Sequence, residues 1–201
     1  DMIGYWTHRF YHEIPVLWKF HAVHHSTEHL DWVSGFRAHP FDGTLIAPAF
    51  IFLIAAGFSP EITGVFAIFQ IILGLLLHAN VKFRFRWLHP FVGTPEMHHW
   101  HHSNENDAVW TNYGVALPLW DQVFGTYYMP KDKRPSVYGI DEHIEPNMID
   151  QLLYPLWQIG NPLNIIRHPF RSIGVGFRFY WNLMKKMKWV IFRPRGMKPP
   201  M

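Results

Sequence analysis

Two short stretches of this chain read almost as copies of each other: His21-Ala22-Val23-His24-His25 and His98-His99-Trp100-His101-His102. Each puts histidines at i, i+3 and i+4, which on a helix sets three imidazoles on one face about one turn apart. A helix-spaced pair, His8 and His12, precedes the first cluster. These eight histidines exceed what one ion uses, since zinc takes about four ligands and octahedral metals about six. The pattern therefore speaks for two metals. His99 is offset by about 100° from the ligand face and is left out, as are His29, His89, His143 and His168.

Composition narrows the donor set. The 201 residues hold no cysteine, so thiolate sites and disulfides are excluded and any metal is held by nitrogen and oxygen. Aromatics are 17% of the chain, and the net charge is only +3. No Lys/Arg run is interleaved with stacking aromatics, which argues against a nucleic-acid partner. The first residues, Asp1 to Trp6, carry no basic start and no small-residue cleavage site. They read as the middle of a helix, so N-terminal helices are expected upstream of residue 1.

Residues 1 to about 27 are helix-compatible, with Pro15 starting a new helix or kinking one. The stretch 28–43 reads as a connector containing Arg37-Ala38-His39-Pro40. Thr44 to Phe58 and Ile62 to Leu77 are two uncharged, apolar runs separated by Ser59-Pro60-Glu61. Each is somewhat shorter than the roughly 20 residues that span a bilayer. A buried pair of core helices is one reading; a transmembrane hairpin over about 44–78 is favoured. Lys82, Arg84 and Arg86 follow it, as on a cytoplasmic face. The hairpin would deliver His78 to the side where the clusters meet. Residues 1–147 form the site-bearing domain. Residues 148–201, where aromatics alternate with bases up to Lys198, read as an interfacial region against anionic lipid.

With His78 the count is nine nitrogens, which divides into two ions with four or five each. Neutral imidazole suits iron, copper, zinc and nickel. The order His8-x3-His12, His21-x2-His24-His25, His98-x2-His101-His102 resembles the fatty acid hydroxylase/sterol desaturase superfamily of integral-membrane di-iron enzymes. Supporting matches are Pro15-x-Leu17-Trp18, Arg37-x-His39-Pro40, His78-Ala79-Asn80, Asn112-Tyr113-Gly114 and Trp120-Asp121-x2-Phe124-Gly125-Thr126, together covering about residues 5–130. The resemblance implies an all-α integral-membrane bundle with a cytosolic histidine-rich cap, in the bacterial inner membrane or endoplasmic reticulum. It implies two irons, replaceable by zinc in a purified sample, and dioxygen as co-substrate. A separate electron donor, a cytochrome or ferredoxin, would drive hydroxylation of a lipid or sterol C–H bond. Desaturation by the same site is the alternative, and a non-catalytic membrane metal-binding protein is another. Some relatives carry a further histidine where this chain has Lys82, so Asn80 or a water is expected to complete the sphere. Ligating histidines pass their second N–H to a carboxylate or carbonyl. Glu13, Asp31, Glu96, Asp107 and Asp121 are the candidate carboxylates; Asp107 and Asp121 are preferred, with His39 in the same outer layer.

Overall fold

In a computed structural model, residues 1–44, 47–82 and 86–159 are described, with isolated positions 181, 184, 185 and 191. The basic tail expected at the interface lies largely outside them, as does His168. Among the described residues the chain is helical and has no strand; one isolated bridge pairs Ser103 with Tyr138.

Three helices start on the same device: an extended residue followed by proline at the first helical position, where its missing N–H costs nothing. Helix α1 (Met2–Glu13) ends at Ile14, and Pro15 then opens α2 (Pro15–His25), so Pro15 begins a new helix rather than kinking one. Ser59-Pro60 opens α4 (Pro60–His78), and Thr94-Pro95 opens α5 (Pro95–His101). Between them lies α3 (Ala47–Ala55); α6 (Leu119–Phe124) and α7 (Met148–Ile159) follow. Helix α6 stops at Gly125, whose φ of 73° is the left-handed cap that glycine accepts freely.

Helices α3 and α4 pack on each other through Phe50 and Phe66, with the turn at Gly57 (φ 83°) between them. Helix α4 is long and apolar enough to cross a membrane, and only 11% of its apolar window is buried. A core helix would be mostly covered, so this exposure counts against the buried-pair reading. A short 3-10 helix, Trp32–Phe36, closes over the C-terminal end of α4: a Cβ at Gly35 would sit 3.3 Å from both His78 Nδ1 and Leu75. Helix α7 packs against α2, with Tyr154 beside Ala22 and Val23. The C-terminal halves of α1 and α5 and the C-terminal end of α4 thus bring their histidines to those of α2.

Candidate metal centre

Every one of the nine imidazoles is buried. They fall into two groups. His8 and His12 of α1, His21 and His25 of α2 and His101 of α5 form one. His24 of α2, His78 of α4 and His98 and His102 at α5 form the other. Within each group one nitrogen per ring lies within 4.8 Å of all the rest. The groups touch where the His25 and His102 rings stack at 4.1 Å.

The tautomers follow from what the far side of each ring meets. Nδ1 of His8 donates to Tyr113 O, that of His24 to Arg37 O, that of His78 to Gly74 O and that of His101 to Thr111 O, at 2.7 to 2.8 Å. Nδ1 of His21 meets the Asp42 carboxylate at 2.8 Å. A proton on Nδ1 leaves Nε2 as a bare lone pair. Yet Nε2 of His8 and His21 face each other at 3.2 Å, and Nε2 of His78 lies 3.1 Å from those of His24, His98 and His102. Facing lone pairs repel unless a cation lies between them. Donors about 2.1 Å from one metal and about 90° apart are separated by about 3.0 Å. Nε2 of His25 is buried with no hydrogen-bond partner. The donor set therefore fits two cations.

Burial also holds these rings in the form a metal needs. Desolvation, followed by repulsion from His21, pushes His8 down to about 3. Desolvation likewise drives His12, His25, His98, His101 and His102 well below the ordinary histidine range. In the unfolded chain they would take up protons near 6.5. The metal-free fold is therefore most stable above that pH and weakens as pH falls from 6.5 towards 3. The loss is about 1.4 kcal/mol per pH unit for each such group. A melting series on metal-free protein should show the midpoint falling steeply between pH 7 and 4; a flat profile would contradict the buried, neutral set.

Behind the rings lies a second layer that spacing alone does not reveal. Asp42 was not among the candidate carboxylates, because it sits in a connector of unremarkable composition. It accepts from His21 with Oδ2 and from Thr44 N with Oδ1. Although burial works against it, His21 holds Asp42 well below the usual carboxylate range. Its one visible signal is its place two residues after His39-Pro40. Arg37 of the same loop donates to Val23 O and Ser26 Oγ, clamping the loop to the end of α2 so that its own carbonyl meets His24.

Asp121 acts one step further out. Buried completely, it accepts from Tyr113 N, Gly114 N and Thr126 Oγ1, all at 2.7 Å. It thereby fixes the loop whose carbonyls at Thr111 and Tyr113 orient His101 and His8. A Cβ on Gly114 would lie 2.6 Å from Asp121 Oδ2, so only glycine fits there. Desolvation raises Asp121 to about 6, against the pull of its three donors. Tyr5 joins Thr126 to Arg9, and Arg9 pairs with Glu13, which also receives Tyr113 OH.

Other expected positions lie elsewhere. Asn80 and Asp107 are exposed, as is Lys82. His39 accepts from Phe41 N and reaches Leu152 O, tying its loop to α7 instead of to the imidazoles. Asp31 caps the 3-10 helix and Glu96 pairs with Arg134. His99 meets Tyr138 OH on the other side of α5.

A helical protein with two buried all-imidazole groups, each able to hold a metal ion, at the end of a long apolar helix defines a narrow class. The fatty acid hydroxylase family profile matches residues 1–126, and the chain belongs to that family. It is 35% identical over 169 residues to ornithine lipid hydroxylase OlsE of Rhizobium tropici, covering 82% of this chain and 50% of that protein. It is 31% identical over 180 residues to alkylglycerol monooxygenase of Danio rerio (83% and 39%). Against Delta(7)-sterol 5(6)-desaturase of Leptosphaeria maculans it is 28% identical over 134 residues (66% and 36%). The chain thus spans half or less of the length of these relatives. No solved structure matches.

Proposed function

We propose that this chain carries the catalytic centre of a membrane-bound, non-haem di-iron oxygenase that hydroxylates an unactivated C–H bond of a lipid. The observation that carries the reading is the pair of buried imidazole groups with unprotonated nitrogens aimed at one another. The kinship with a lipid hydroxylase and a monooxygenase supports the chemistry. One oxygen atom of O2 enters the C–H bond as C–OH and the other leaves as water, using two electrons from a separate donor and two protons. Desaturation at the same centre is the second reading, favoured by the likeness to the sterol desaturase.

In this reading His8, His12, His21, His25 and His101 hold one iron, and His24, His78, His98 and His102 the other. Two ferrous ions there supply the reductive activation of dioxygen. The chain does the rest. Carbonyls of Arg37, Gly74, Thr111 and Tyr113 keep each Nδ1 proton in place and so keep Nε2 free. The Asp42 carboxylate accepts the Nδ1 proton of His21 and so holds that ring with Nε2 free for a metal. Trp18 and Trp110 set apolar walls beside His12 where a cavity reaches it from the surface. Helices α3 and α4 cross or enter the bilayer as a hairpin, with the centre on the cytoplasmic side. A cytochrome or ferredoxin supplies electrons.

The test is elemental analysis on anaerobically purified protein followed by an assay for oxygen-dependent lipid hydroxylation. About two irons per chain and a product gaining one oxygen atom from O2 are expected. One metal or none in the purified protein would remove the reading.

A further inference from the structure

Tyr113 is fully buried against the five-imidazole group, its ring 5.3 Å from that of His12 and 5.9 Å from those of His8 and His101. Its hydroxyl donates to Glu13 Oε1 at 3.1 Å, and that carboxylate is paired with Arg9 at 3.0 Å. Both partners are buried as deeply as the tyrosine. A buried ion pair is often no more stable than apolar residues of the same volume, so stability alone does not account for this one. Away from the histidines the rings continue: Tyr5 stands 6.0 Å from Tyr113, and half-buried Trp6 stands 5.5 Å from Tyr5. Tyr5 also has somewhere to send a proton. Its oxygen receives Arg9 Nη1 while its hydroxyl donates to Thr126 Oγ1 at 3.0 Å, and Thr126 in turn donates to Asp121. Among the described residues the rings in contact with the four-imidazole group are all imidazoles, so this row of tyrosine and tryptophan leaves from one group only.

We propose that Tyr113, with Glu13 as its proton acceptor, is redox-active, and that Tyr113, Tyr5 and Trp6 form a route by which an oxidising equivalent leaves the metal centre when no lipid consumes it. The proposal rests on the oxygenase reading and adds a protective discharge to it. Tyr113 loses one electron to the iron-loaded centre after that centre has taken up O2. Its O–H bond breaks, and the proton forms an O–H bond on Glu13 Oε1, leaving a neutral phenoxyl radical and a neutral carboxylic acid. An electron from Tyr5 then restores Tyr113, which takes its proton back from Glu13. The Tyr5 proton meanwhile passes to Thr126 as Thr126 passes its own to Asp121. Trp6 gives the next electron, those protons return, and ascorbate or a thiol in solution reduces the indole. Each passage removes one oxidising equivalent. The Arg9 guanidinium lies 5.2 Å from the Trp6 ring and disfavours positive charge there. The oxidising equivalent therefore rests on Tyr113, whose radical carries no charge.

The test uses the full chain in detergent, in two loadings. Iron-loaded, reduced protein is mixed with O2 in the absence of lipid, frozen and read by electron paramagnetic resonance. The expected signal is an organic radical narrowed by ring-deuterated tyrosine and unchanged by deuterated tryptophan. Tyr113→Phe should remove it at unchanged metal content. Glu13→Gln should slow its formation about a hundredfold, the low end of what a positioned proton acceptor contributes. Trp6→Phe should lengthen the life of the radical in ascorbate and leave the initial rate on lipid unchanged. Zinc-loaded protein lacks the oxidant and tests the route by itself. The chain has no cysteine, so Met2→Cys, at an exposed position one turn before Trp6, carries a single ruthenium photo-oxidant. Flash oxidation should produce the absorption of a tyrosyl radical, and Tyr5→Phe in the same protein should leave the radical on an indole. A tryptophan radical that survives Tyr113→Phe with iron, or no tyrosyl radical with zinc, would overturn the proposal. So would iron-loaded protein that hydroxylates lipid yet forms no radical without it. A tyrosyl radical with zinc, but neither radical nor product from iron and O2, would leave the route standing and remove the oxygenase reading.

Discussion

Replacing His78 with alanine is expected to lower bound iron from about two per chain to about one and to take lipid hydroxylation below detection. His78 Nε2 is the hub of its group, 3.1 Å from three other donors, and its loss leaves three nitrogens, fewer than the roughly four a closed site uses. His101→Ala is a milder lesion for binding, because four nitrogens of its group remain. It should keep more of its metal while still losing turnover by well over the roughly 10–100-fold that an outer-layer partner costs. His143, exposed and paired with Glu145, serves as the control and should change neither quantity. Full iron in the His78 variant would mean the four-imidazole group is not a metal position.

Asp121→Ala should be the most destabilising single change outside the ligands. It strands two backbone N–H groups and a hydroxyl in the interior, each costing about 1–3 kcal/mol, so a combined loss of about 4 kcal/mol is expected. Because the freed loop also carries the carbonyls facing His8 and His101, iron should be bound more weakly as well. Asp107→Ala, at an exposed site in the neighbouring segment, should stay within about 0.5 kcal/mol of the parent. Denaturant unfolding of the two variants side by side decides it. Equal stabilities would mean that the buried network does not hold the loop.

Those two aspartates also show how far the chain could be read before its fold was seen. Asp121 lies in the Trp120-Asp121-x2-Phe124-Gly125-Thr126 motif and Asp107 between the second histidine cluster and Asn112, and spacing could not separate them, because burial is set by the way α6 folds back under the Asn112–Gly114 loop. The helical histidines were legible, since i, i+3, i+4 spacing determines a face wherever a helix forms. His78 was legible only through the hairpin that returns it to the others. The 3-10 helix over α4 and the role of Asp42 were not, because each depends on contacts between segments far apart in sequence. His39 differs for the opposite reason: an imidazole in the Arg37-x-His39-Pro40 loop is chemically able to join the site, but its two nitrogens meet Phe41 N and Leu152 O.

The four-imidazole group draws its donors from three places: one from the end of α2, one from the end of the apolar α4 and two from α5. On the proposed membrane reading, that arrangement would impose an order on biogenesis. Until α4 had reached its final depth, His78 would be missing from the set and this position would hold three imidazoles. A nascent chain stalled with its hairpin outside the lipid would then load metal at the five-imidazole position alone, and the second ion would act as a latch that closes only on an inserted chain.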